Sequence, residues 1–128
     1  MNHVIAPIVI VLALRPAVVH AETWHVPAPG SAERAQVMSA MRNELSRFDP
    51  NAGDLRFVVH ELCVSGKTGW IAAEPRSADG TNHYEPVSAS LRKRAGHWVV
   101  DSLACTEETC PEGETPESVR RRVQPACG

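Results

Sequence analysis

The sequence has no excess of charge of either sign: 13 Lys and Arg stand against 15 Asp and Glu, for a formal net charge of -2. A nucleic-acid binder needs a basic patch, and an acidic disordered tail needs sustained like charge, so neither is expected. Length is short as well, since 128 residues with only six aromatics hold one small domain. The longest apolar run is the 11 residues Val4 to Leu14 (VIAPIVIVLAL), well under the roughly 20 that span a bilayer as a helix. The first cysteine is Cys63, so no acylatable thiol follows that run and a lipoprotein anchor is not expected.

Several catalytic templates fail on a single residue. Gly66-Lys67-Thr68 lacks the glycine that a phosphate loop needs five positions earlier, where Glu61 stands, and reads as a turn between strands. His60-Glu61 opens like a zinc-protease signature, but Val64 occupies the place of the second histidine and the segment has strand character. No serine lies in a G-x-S-x-G context. Asp79-Gly80-Thr81-Asn82 lacks the alternating carboxylates and closing glutamate of a calcium loop. His25, His60, His83 and His97 have no ligand spacing; only convergence in space of His60 and His83 with Glu61 or Glu85 would build a zinc or copper site. No metal and no cofactor is expected.

What is present points to export. The apolar run has the length of a signal-peptide core, Arg15 and Pro16 break it, and Val19-His20-Ala21 suits signal peptidase, so cleavage is expected between Ala21 and Glu22. The preceding Met1-Asn2-His3 lacks the usual Lys or Arg. A periplasmic or secreted protein with no stable membrane insertion follows. Export makes an even number of cysteines a disulfide framework rather than a catalytic or metal set, which also disfavours a Cys63 nucleophile with His60 or His97. Cys63, Cys105, Cys110 and Cys127 allow three pairings. The preferred one joins Cys105 to Cys110 around a short polar loop and Cys63 to Cys127, bringing the C-terminus to the body. These bonds are worth about 2 and about 4 kcal/mol in the chain-entropy model.

Residues 22–30 (ETWHVPAPG), with two prolines and a glycine, read as an extended arm in which Trp24 is the candidate to pack back as an edge element. Ser31 caps a helix whose apolar stripe is Val37, Met38, Met41, Leu45 and Phe48, ended by Asp49-Pro50-Asn51-Ala52-Gly53. Four β-rich runs follow: Leu55 to Val64, Gly69 to Glu74, Tyr84 to Arg94 and Trp98 to Cys105. Thr115-Pro116-Glu117 starts a short helix through Val123. The expectation is α+β: one N-terminal helix packed on a four-stranded antiparallel meander over 31–105, with a disulfide-tethered C-terminal tail over 106–128. By strict alternation the first strand is apolar on both faces, Leu55, Phe57 and Val59 against Val58, Leu62 and Val64, so the second face also needs a cover. That cover is the tail, a second copy of the chain or a partner.

The hairpin Leu91-Arg92-Lys93-Arg94-Ala95-Gly96-His97-Trp98-Val99-Val100, an aliphatic strand, a glycine turn and a tryptophan strand, resembles the closing hairpin of the cystatin-like or NTF2-like superfamily. Helix first and meander after is also similar to those folds. The resemblance covers about residues 31 to 105 and implies a curved sheet on a helix, in a group with binding, inhibitory and catalytic members. The extra N-terminal helices of a full NTF2-like domain are missing, which counts against an enclosed catalytic pocket.

Function is therefore expected from the surface. The connection Pro75 to His83 is the longest between strands and is flanked by Arg76, His83 and Tyr84, which makes it the expected recognition tip. Tyr84 and Trp70 are the expected rigid anchors and Arg76 a polar contact. The leading reading is a non-enzymatic binding module of the bacterial envelope, of the kind that inhibits or neutralises another protein. The alternatives are an NTF2-like periplasmic enzyme using His60, Glu61 and Asp101 for acid-base work, and a structural accessory that homodimerises through its sheet. The acidic stretch Glu107 to Glu117 and the basic runs Arg92 to Arg94 and Arg120 to Arg122 read either as a solvated, mutually neutralised surface or as a basic rim that steers an acidic partner.

Overall fold

Ser31 begins the first helix by accepting a hydrogen bond from the Arg34 amide at 3.2 Å. In a computed structural model, which describes residues 8–16 and 23–128, that helix is α1 (Ala32–Leu45). The expected cleavage point at Ala21–Glu22 lies outside the described residues. The apolar stripe stops short of Phe48. Pro50 restricts Asp49 to an extended backbone (φ -138°, ψ 115°), and the Asp49 carboxylate accepts from the Asn51 amide at 2.9 Å. A short 3-10 helix over Pro50–Asp54 starts there, and Phe48 is left in the turn with 70% of its surface exposed.

The meander comprises β1 (Arg56–Val64), β2 (Thr68–Arg76), β3 (Val87–Arg94) and β4 (His97–Leu103), antiparallel in the order β1-β2-β3-β4. Tight turns set its register. Gly69 must lack a side chain, since a Cβ there would stand 2.7 Å from Val64 Cγ1. Ala95 and Gly96 both take positive φ, at 47° and 79°, as a two-residue hairpin of this twist requires. β3 starts at Val87 rather than Tyr84, because Pro86 has no N–H to donate to the ladder.

Two bulges decide which side chains share a face. In β1 the register shifts between Val59 and Glu61, so His60 has no opposite number on β2. An extra residue reverses the alternation, and Phe57, Val59, Leu62 and Val64 all pack toward α1. The expected division of this strand between two apolar faces is thereby corrected. In β4 the shift leaves Asp101 unpaired, and Trp98, Val100 and Leu103 join the same core. Val37 and Met41 of α1 close it over Ile71, Ala73, Ala89 and Leu91.

Glu33 locks the arm, α1 and β4 together. It hydrogen-bonds His25 Nε2 through one oxygen and accepts from the Trp98 indole N–H at 3.3 Å through the other. Burial works to raise its pKa, yet these bonds and the nearby Lys93 hold it below the ordinary carboxylate value. His25, rather than Trp24, is the edge element: it exchanges two backbone hydrogen bonds with Val64, at 2.8 and 2.9 Å.

The second sheet face is covered by the tail. α2 (Pro116–Val123), capped by Thr115, buries Val119 against Trp70 and Ala104, with Val123 at the margin. Cys63 pairs with Cys127 and Cys105 with Cys110, the preferred arrangement, so all four thiols are bonded. Arg120 grips Glu61 from Nε at 3.0 Å and from a terminal nitrogen at 2.7 Å, and the Trp70 indole donates to the same carboxylate at 3.0 Å. No helix among the described residues is long and apolar enough to cross a membrane.

Candidate functional site

β2 is longer than its partner. Its pairing with β3 ends at Ala73–Val87, whereas its pairing with β1 continues to Arg76–Arg56. The overhang Glu74-Pro75-Arg76 thus has one free edge, and the returning loop fills it: Arg76 and His83 form an isolated bridge, and the Tyr84 amide donates to the Pro75 carbonyl at 3.0 Å.

The loop between them is held by its own polar groups. The Ser77 amide donates to Asn82 O at 3.0 Å, and the Gly80 amide to Ser77 O at 2.9 Å. Asp79 Oδ1 accepts from Ser77 Oγ at 2.6 Å, the Thr81 amide at 3.0 Å and Thr81 Oγ1 at 2.8 Å. Led by the Ser77 hydroxyl, these bonds lower the Asp79 pKa to about 2, so the group is an anion throughout the physiological range.

The four residues expected to act together are divided. Tyr84 stands at the loop exit, 46% exposed. His83 and Arg76 turn instead toward Glu74, whose Oε1 lies 3.4 Å from His83 Nδ1 and 3.6 Å from Arg76 Nε. That Arg76 nitrogen is buried and has no hydrogen-bond partner. Trp70 is 2% exposed beneath α2 and presents no surface to a partner.

Tyr84 faces a residue that the sequence assigned to the core. Phe48 and Tyr84 line one apolar groove of about 290 Å³ with Leu45, Ala52, Leu55, Pro75 and Val87. Of the six aromatic side chains, these two alone are exposed. Leu55 and Tyr84 also border a polar groove of about 350 Å³, lined by Asn51, Asp54, Ser77, Asp79 and Asn82. Leu55 is held by Arg42, whose Nε donates to its carbonyl at 2.9 Å. The signal that could have found Phe48 is Asp49-Pro50, which ends the helix before the stripe's last member.

Charge is arranged unevenly around the two grooves. Asp49, Glu85, Asp54 and Asp79 line them, no Lys or Arg does, and among the described residues none of these four carboxylates is in an ion pair. The basic runs are more neutralised: Arg120 pairs with Glu61, Arg92 lies 3.7 Å from Asp101, and Lys93 lies 3.9 Å from Glu33 and over the Trp98 ring. A wider trough of about 540 Å³ runs between α1 and β4 past Ala35, Ser39 and Val99, and has no exposed aromatic.

The residues of the enzymatic alternative do not converge. His60 and Glu61 lie on β1 and Asp101 on β4, at opposite edges of the sheet, three strand spacings or about 14 Å apart. Glu61 is engaged by Arg120, which holds its pKa below the ordinary value despite partial burial. His60 and His83 do meet one carboxylate, but it is Glu74, with His60 Nε2 at 3.8 Å. Among the described residues no group of three or more His, Cys, Asp or Glu is placed to hold a metal ion.

No family model matches the chain, and neither a curated protein nor a solved structure matches it. The likeness to cystatin-like and NTF2-like folds rests on the closing hairpin and the element order alone.

Proposed function

We propose that this chain is an exported, disulfide-stabilised binding module of the bacterial envelope, and that it engages a protein partner through the groove between Phe48 and Tyr84. The observation that carries this reading is the pairing of the two exposed aromatics across one apolar groove. Aromatic anchors beside a small pocket, rimmed by polar groups, are the anatomy of an interface hot spot. Export is supported by the apolar run Val4 to Leu14 as a cleaved signal segment and by two disulfides, which persist in the periplasm or outside the cell. The mechanism is steric occupation: the self-bonded loop and the 3-10 turn hold the anchors with little ordering left to do on binding.

The test is a quantitative pull-down from an envelope extract of the host, with oxidised protein as bait beside a Phe48→Ala/Tyr84→Ala double variant. Stoichiometric capture that is lost in the double variant, at an unchanged unfolding midpoint, is the expected result. Equal capture by both baits would remove the groove, and no capture would remove the protein-binding reading.

A further inference from the structure

Resting on that reading, we propose that the occupant of the groove is a short partner segment presenting one large apolar side chain directly beside a lysine or arginine. The apolar half holds about 290 Å³ and is open along one side. Its apolar lining, which includes Phe48 and Tyr84, suits a large apolar side chain such as Leu, Ile, Met or Phe. The polar half begins on the other side of Leu55 and Tyr84, which belong to both. A neighbouring side chain of the same segment reaches it without a break in the chain.

Charge selects what that neighbour is. Asp54 and Asp79 line the polar half, Asp49 and Glu85 the apolar half, and no cation of this chain lines either. All three hydrogen bonds to Asp79 end on Oδ1, which leaves Oδ2 open to a donor. The nearby Arg47 guanidinium, 5.9 Å from the Phe48 centroid, is paired with Glu44 at 2.9 Å. With Arg47 already over the Phe48 ring, it is the unpaired carboxylates and the Tyr84 ring that attract a guanidinium or ammonium, through ion pairing and the ring's negative face. They repel phosphate, carboxylate-rich segments and anionic lipid surfaces.

The test is selection from a displayed random-peptide library on the full oxidised protein, followed by anisotropy titration of the selected peptides. The expected consensus is a large apolar residue next to Lys or Arg, with binding weakened by added salt. Asp54→Asn/Asp79→Asn keeps the hydrogen-bond acceptors of the loop and should weaken binding about three- to tenfold. Phe48→Ala/Tyr84→Ala should abolish it, and unchanged unfolding midpoints establish that both variants are folded. A neutral or acidic consensus that still needs Phe48 and Tyr84 would overturn the charge inference and leave the groove as the docking site. Peptides indifferent to Phe48 and Tyr84, or no enriched peptide, would overturn both.

Discussion

The two faces of the sheet are covered by different means. Toward α1 the cover is a continuous apolar core, with Val37 and Met41 packed on Leu62, Val64, Ile71, Leu91 and Trp98. Toward α2 it is a small cluster of Trp70, Ala104, Val119 and Val123, supplemented by one carboxylate–guanidinium grip and one disulfide. A 14-residue helix that buries Val37, Ala40 and Met41 has apolar area to hold it, whereas an eight-residue helix that buries Val119 alone and carries three consecutive arginines has little. Covalent and ionic fixings serve where apolar area is scarce.

The sharpest way to break this contrast is to empty each cover in turn. Leu91→Ala, in the α1 core, should lower stability by about 2–5 kcal/mol, read as a denaturant midpoint, while Val119→Ala should cost about 1–2 kcal/mol. Equal losses would mean that the two covers do not differ in kind. Replacing Cys63 and Cys127 together by Ala should remove about 2–4 kcal/mol. Hydrogen exchange should then show α2 losing protection while α1 retains it, and protection kept in α2 would mean that burial alone seats it.

Smaller effects sharpen the picture. Glu61→Gln should cost at most about 1 kcal/mol, because the pair is part-exposed and screened. Its pH signature follows from the lowered pKa of Glu61. The grip is fully present above the ordinary carboxylate value of 4.5 and is lost as pH falls through the depressed folded value. Exchange protection of α2 should therefore drop on acidification in the parent protein and show a weaker pH dependence in Glu61→Gln. At the small end, Tyr84→Ala should shift stability by no more than about 0.5 kcal/mol, as for an exposed position outside the core.

Element order was legible in the sequence, whereas the disulfide pairing was a preference among three and the tail the first of three candidates for the second face. Caps and breakers such as Ser31, Pro116 and Gly96 are local chemistry, and the tethered C-terminus had little else to pack on. The bulges were not legible. Nothing in Phe57-Val58-Val59-His60-Glu61-Leu62 marks His60 as the residue without a partner, because a bulge is a property of two strands in register. Assuming strict alternation therefore split one apolar face into two. Of the site, Tyr84 was legible as a loop residue next to a strand. Phe48 was masked by its helical spacing from Leu45, and Trp70 was misassigned because a strand tryptophan does not reveal which face is covered.

The measurement that tests the account most directly is photo-crosslinking in living host cells. A photoreactive residue is placed in turn at Ala78, exposed on the polar half of the groove and apart from the two anchors, and at Arg121, on the exposed side of α2. The groove position should give a discrete adduct with another protein and the α2 position none. An adduct from α2 with none from the groove would contradict the proposal that the Phe48–Tyr84 groove is the docking surface and that α2 serves as a cover.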